Sequence, residues 1–201
     1  EILIYLSVVI NAEPELFDGL LTLRVSYLIL LINSEICREQ ICTQDEAYES
    51  LTLMQTGKAG PLPLVLIDRP GGDYWKSWDH YIRNRLLDQG LISSDDTGLY
   101  HLTDSIDDAL ESIESFYRMY HSSRYVDGQI VIRLKAPLCA GGIEQLNDEL
   151  GDILIRGTIR EVSAFDAEHD DETKSLPRLV LHFNQRNFGR LHQMIRFIGK
   201  L

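Results

Sequence analysis

The chain has little cysteine: Cys37, Cys42 and Cys139 are the three thiols in 201 residues. An odd, sparse count builds no disulfide framework, and the expectation is a reduced, cytoplasmic setting. Cys37 and Cys42 do not make a zinc site either, because no second Cys/His pair stands at finger spacing to complete four ligands. Long apolar runs are also missing. Ile2 to Ile10 is far too short to span a bilayer, and Leu20 to Ile32 falls short of the ~20 residues needed and carries Arg24. Neither stretch has the basic start and cleavage site of a signal peptide. Positive charge is scarce. The 19 Lys and Arg face 31 Asp and Glu, a formal net charge of −12 that disfavours nucleic acid and anionic membrane as partners.

Catalytic signatures are as scarce. The six histidines, His80, His101, His121, His169, His182 and His192, form no H-x-x-x-H or H-E-x-x-H pair, so a zinc hydrolase finds no support. There is no G-x-S-x-G elbow for an α/β-hydrolase nucleophile. Gly57-Lys58 lacks the earlier glycine and the following Ser/Thr of a phosphate-binding P-loop. No internal repeat or low-complexity tract occurs.

What is present is a globular composition, 44% hydrophobic and 25% charged, which argues against wholesale disorder. The length suits one domain, or one domain with an appendage. The chain opens in mid-pattern on Glu1 rather than Met, as a processed or partial chain does. Ile2 to Ile10 is β-branched and apolar on both faces, as in a buried parallel strand. Asn11 to Asp18, with Pro14, reads as a loop, and Leu20 to Ile32 fits helix or strand. Thr43 to Thr56 is helical, with Ala47, Leu51 and Met54 on one face and Gly57 as C-cap. Thr43 with Glu46 three residues on makes a capping box. Leu62 to Ile67 is a short strand, Asp68 to Asp73 a Pro/Gly turn, Trp75 to Gln89 an amphipathic helix stopped by Gly90, and Leu99 to Leu102 a strand. Thr103 caps a further helix, with Ala109, Ile113, Phe116 and Tyr117 inward. This alternation predicts an α/β parallel sheet over residues 1–120.

Residues 121–201 change rhythm. Gln129 to Leu134 alternates like a half-exposed strand, and Ile143 to Ile155 is helical. Gly157 to Phe165 is a strand, Asp166 to Lys174 an acidic loop, Leu179 to Phe183 a strand and Phe188 to Ile198 a helix. The order β-α-β-β-α predicts a small α+β module. His121-Ser122-Ser123-Arg124, with Arg118, reads as a basic turn, favoured as an interdomain joint over an anion site. Arg186, Arg190 and Arg196 sit on the outer side of a core helix.

The stretch from Thr43 to Lys58, T-Q-D-E-A-Y-E-S-L-T-L-M-Q-T-G-K, resembles the LOG (Lonely guy) family of nucleoside 5′-monophosphate phosphoribohydrolases, long mislabelled as lysine decarboxylases. The family signature is P-G-G-x-G-T-x-x-E followed by a helix. Leu62 to Asp68, Tyr74-Trp75, Leu86 to Ile92, Tyr117 to Tyr125 and Leu176 to Val180 agree in order with a bacterial branch, so the likeness runs from Thr43 to the end. It implies a Rossmann-like sheet, here partial with its amino-terminal part missing. It also implies a catalytic Glu46, substrate contacts from Thr43 and, by a looser alignment, Arg24, no cofactor, a purine nucleoside monophosphate such as AMP as substrate, and a homodimer. Hydrolysis would give free base and ribose 5-phosphate; a non-catalytic relative that binds nucleotide or a protein partner is the alternative. The old decarboxylase label implies pyridoxal phosphate, and no lysine here has a supporting motif.

One departure stands out. Where the family has P-G-G-x-G, this chain has Arg38-Glu39-Gln40-Ile41-Cys42. Glycines there let backbone N–H groups approach the 5′-phosphate at a helix start. Glu39 adds a like charge, which at ~5 Å and an effective dielectric of ~20 costs on the order of 3 kcal/mol. The Pro70-Gly71-Gly72 run is not followed by Gly-Thr and a spaced Glu, and reads as a strand-to-helix turn at the carboxyl end of a strand.

Overall fold

The computed structural model describes residues 29–32, 40–162 and 173–201. The expectations for Ile2 to Ile10, Asn11 to Asp18, Arg24 and most of the acidic loop lie outside them. The chain divides into two compact units, Glu1–Ile113 and Glu114–Leu201.

In the first unit, strands β1 (Ile29–Ile32), β2 (Leu64–Ile67) and β3 (Tyr100–Thr103) form a parallel sheet in that order, with Leu64 beside Ile29 and Tyr100. The α/β expectation therefore holds. All four β2 residues are buried, which is why Leu-Val-Leu-Ile carries no polar alternation. Helix α1 (Gln40–Gln55) joins β1 to β2, and α2 (Tyr74–Tyr81) joins β2 to β3. The core packs Ala47 and Met54 of α1 and Trp75 and Trp78 of α2 against Leu64, Leu66, Leu99 and Tyr100. Each large apolar side chain so buried contributes about 2 kcal/mol.

Both helices end as their glycines dictate. Gly57 has φ +69°; its N–H reaches the Met54 carbonyl at 3.1 Å and that of Lys58 reaches Leu53 at 2.9 Å. This is a Schellman cap, which needs a left-handed residue at that point. Gly90 closes the second helix identically, with bonds from Gly90 to Leu87 and from Leu91 to Leu86. Ahead of it, Ile82–Leu87 winds as π-helix.

The second unit begins within helix α3 (Ile106–Met119). Its sheet is antiparallel, in the order β4 (Tyr120–Val126), β5 (Gln129–Leu134), β7 (Arg178–Phe183), β6 (Leu154–Val162). Ile130, Ile132, Leu134, Leu179, Leu181 and Phe183 face Leu146 and Leu150 of α4 (Gly142–Leu150) and Leu191, Met194 and Ile195 of α5 (Phe188–Ile198). Asn147 of α4 fixes the bulged part of β6: its Oδ1 accepts the Ile159 N–H at 2.8 Å, and its Nδ2 donates to the Ile159 carbonyl at 3.0 Å.

Several expectations are corrected here. The segment from His121 to Arg124 is strand, not turn, so the second unit is β-β-α-β-β-α. Val126 and Gln129 pair across Asp127-Gly128, both at positive φ (48° and 76°), the type I′ hairpin signal. Strand β5 is buried on both faces, Val131 at 0% and Arg133 at 7% exposure, because it is an interior strand rather than a half-exposed one. Helix α4 stops at Leu150, and Ile155 belongs to β6. Helix α3 starts at Ile106, with the Ser105 hydroxyl accepting the Asp108 N–H at 3.4 Å, so Ser105 caps it and Thr103 ends the strand. Among the described residues no helix is long and apolar enough to cross a membrane.

Candidate functional site

A parallel sheet delivers its loops and helix starts to the carboxyl ends of its strands, where ligands of such folds sit. Here that edge collects the first turns of α1, the 68–73 turn after β2, and Asp104 after β3.

Helix α1 starts at Gln40, so Thr43 is its fourth residue. This corrects the capping box, since a residue inside a helix is not its N-cap. Gln40, Ile41 and Cys42, three of the five positions that are glycine-rich loop in the phosphoribohydrolases, are helical instead. With no glycine to disfavour helix, the winding extends into them. Thr43 and Glu46 are half-buried and, three residues apart, lie on one side of the helix. Arg24, Arg38 and Glu39 lie outside the described residues.

The 68–73 turn is built around a buried carboxylate. Asp68, at 6% exposure, follows the last residue of β2; its N–H bonds the Thr103 carbonyl at 2.9 Å and its Oδ1 accepts the Arg69 N–H at 2.9 Å. Gly72 donates to the Arg69 carbonyl at 2.8 Å across Pro70-Gly71, and Gly71 has φ +73°, a type II turn. A Cβ on Gly72 would overlap the Asp68 carboxylate, so the second glycine makes room for the acid. The Gly71 N–H donates to Asp104 Oδ2 at 3.0 Å, tying this turn to the one after β3. The Pro-Gly-Gly run is thus the strand-to-helix turn expected of it.

Side chains join the two helix starts. The Gln44 amide donates to the Tyr74 hydroxyl at 2.7 Å. Further along α1, the Tyr48 and Trp78 rings meet at 5.6 Å, and Gln55 donates to Asp96 at 2.7 Å. Sequence reasoning noted Tyr74-Trp75 only as a matching block. The signal for this contact was the spacing of Gln44, Tyr48 and Gln55 along one helical face.

Other ionisable groups nearby are committed elsewhere. Asp79 accepts from the Tyr100 hydroxyl and pairs with Arg83 at 2.8 Å; burial, then the Asp79 bond, raise the Tyr100 pKa. Asp108 bonds His101 at 2.7 Å, and that bond foremost holds its carboxyl below the usual range. Among the described residues no group of three or more His, Cys, Asp or Glu could hold a metal.

Fold and edge together define a parallel α/β protein with carboxylates and helix starts gathered at the strands' carboxyl ends. Residues 41–113 match the family model described as "Possible lysine decarboxylase". That segment, from α1 into α3 and just over a third of the chain, is similar to this family and supports the LOG-family resemblance. No curated protein matches the chain. The decarboxylase in the description would need pyridoxal phosphate on a sheltered lysine. All five lysines, Lys58, Lys76, Lys135, Lys174 and Lys200, are exposed, so the residues do not fit that cofactor.

Proposed function

We propose that this chain hydrolyses the N-glycosidic bond of a purine nucleoside 5′-monophosphate, slowly by the standard of relatives that keep the glycine loop. The bond from C1′ to the base breaks, the oxygen of water joins C1′, and free base and ribose 5-phosphate leave. One observation carries the reading: Glu46 is half-buried on the early turns of α1, at the edge where parallel α/β sheets bind ligands. A carboxylate there takes the proton of the attacking water or steadies the ribose as positive charge develops. Thr43, on the same side of the helix, and Arg24 are the substrate contacts in this reading. The slowness follows from Gln40–Cys42, whose backbone is helical where the family has the glycine loop that approaches phosphate. A homodimer in the cytoplasm completes the proposal.

A second reading, a nucleotide-binding relative without turnover, is favoured by that same helical stretch. Incubation of the purified chain with AMP separates the two. Slow release of ribose 5-phosphate, abolished in Glu46→Ala, is expected. Release no faster than that of Glu46→Ala overturns the hydrolase, and saturable AMP binding without release supports the second reading.

A further inference from the structure

Gln44 stands between Thr43 and Glu46, and its amide reaches thirty residues along the chain to the Tyr74 hydroxyl. Tyr74 is a fixed point. It directly follows the type II turn around Asp68, and its ring meets Trp75 edge-on at 5.0 Å. Trp75 is 1% exposed, and its indole N–H donates to the carbonyl of Ile67, the last residue of β2, at 3.2 Å. A chain of contacts therefore runs from the carboxyl end of β2 through Trp75 and Tyr74 to the α1 turn that carries the candidate acid. Of the ties between α1 and its neighbours, Gln44–Tyr74, Tyr48–Trp78 and Gln55–Asp96, this one lies nearest the start of α1, on the turn that carries Thr43 and Glu46. The amide donates to the hydroxyl oxygen; a carboxylate at the same position would keep the pair bonded in the opposite direction, accepting the hydroxyl proton.

We infer that Gln44 and Tyr74 are positioning residues for Glu46: their hydrogen bond holds the early turns of α1 in register with the 68–73 turn, so that the carboxylate is held over the strand ends. This rests on the hydrolase reading above. A displacement of about 1 Å at a reacting group slows chemistry up to about a hundredfold. The bond matters to the reaction through Glu46 and makes no claim on substrate affinity.

The test is a double-mutant cycle on AMP hydrolysis with a parallel exchange measurement. Tyr74→Phe and Gln44→Leu are each expected to lower kcat about tenfold with KM and melting temperature little changed. The double variant is expected to be no slower than either single one. Gln44→Glu is expected to recover turnover relative to Gln44→Leu. Losses that multiply, or that track the melting temperature, overturn the inference. In the same variants, amide exchange at residues 44–47 is expected to speed up at an unchanged melting temperature; unchanged exchange overturns the inference whether or not the chain turns over. Wild-type protein that releases no ribose 5-phosphate overturns the hydrolase reading and, with it, the role in positioning a reacting group. Faster exchange in that case leaves only a structural bond.

Discussion

The two units use buried polar groups in opposite ways. In the first, the buried carboxylate of Asp68 and the half-buried Glu46 and Asp104 gather at one edge of a parallel sheet, beside the helix starts. In the second, polar side chains sit within the packing and are spent on backbone. Arg178, fully buried, donates to the carbonyls of Thr173, Lys174 and Leu176, and Asn147 serves both polar groups of Ile159. A parallel sheet leaves one end open, because every connection returns to the other end. An antiparallel sheet with hairpins and a bulged edge has no such end, and its polar groups repair irregular backbone. Chemistry is accordingly expected in the first unit and acid- or packing-sensitivity in the second.

The sharpest way to break that contrast is His192. It is buried at 1% exposure, against Phe116 at 5.8 Å, and burial first, then Arg196, push its pKa down to about 3. The unfolded chain takes up a proton near pH 6.5 that the folded unit refuses. Stability is therefore complete above about pH 6.5 and is lost as pH falls towards 3, by roughly 5 kcal/mol in all. His192→Phe is expected to flatten this acid slope, read from exchange of the β5 and β7 amides. An unaltered slope would assign the acid sensitivity to other groups.

Asn147→Leu should cost about 2 kcal/mol, because the Ile159 N–H and carbonyl lose their partner at the bulge. Denaturant unfolding followed at β6 measures it; a neutral outcome would mean that water substitutes for the amide. Gly72→Ala is expected to be the mildest, about 1 kcal/mol, since the Asp68 carboxylate it meets is the end of a rotatable side chain. If instead it unfolds the first unit, the 68–73 turn is part of the fold's foundation rather than a wall of a crevice.

Much of this contrast was legible in the residues. The apolar run in β2, the α1 and α2 periodicities and the two stopping glycines, Gly57 and Gly90, all act locally and were read correctly. The errors came where local and tertiary signals compete. Thr43 has a capping pattern, yet nothing N-terminal to it stops the helix, so winding continues to Gln40. Thr103 and Ser105 both suit a cap, and pairing of β3 with β2 claims Thr103. The polar run His121 to Arg124 in β4 reads locally as a basic turn, and its strand character depends on pairing with β5 across the Asp127-Gly128 hairpin. The alternation in β5 suggested one wet face, but burial of Val131 and Arg133 depends on what covers them, which a period of two does not encode. At the candidate site, the motif pointed to Thr43 and Glu46. The partnership of Gln44 with Tyr74 required two helices to be brought together.

The aromatic packing of the first unit has an optical consequence. The chain has two tryptophans, Trp75 and Trp78, and both belong to the first unit. Tyr74 lies 5.0 Å from Trp75, and Tyr48 and Tyr100 lie 5.6 and 5.3 Å from Trp78. Tyrosine light absorbed at those rings is handed to an indole before it can be emitted. Tyrosine-excited indole emission is thus a built-in gauge of how α1, α2 and β3 hold together. Tyr117, Tyr120 and Tyr125 belong to the second unit, which contains no indole.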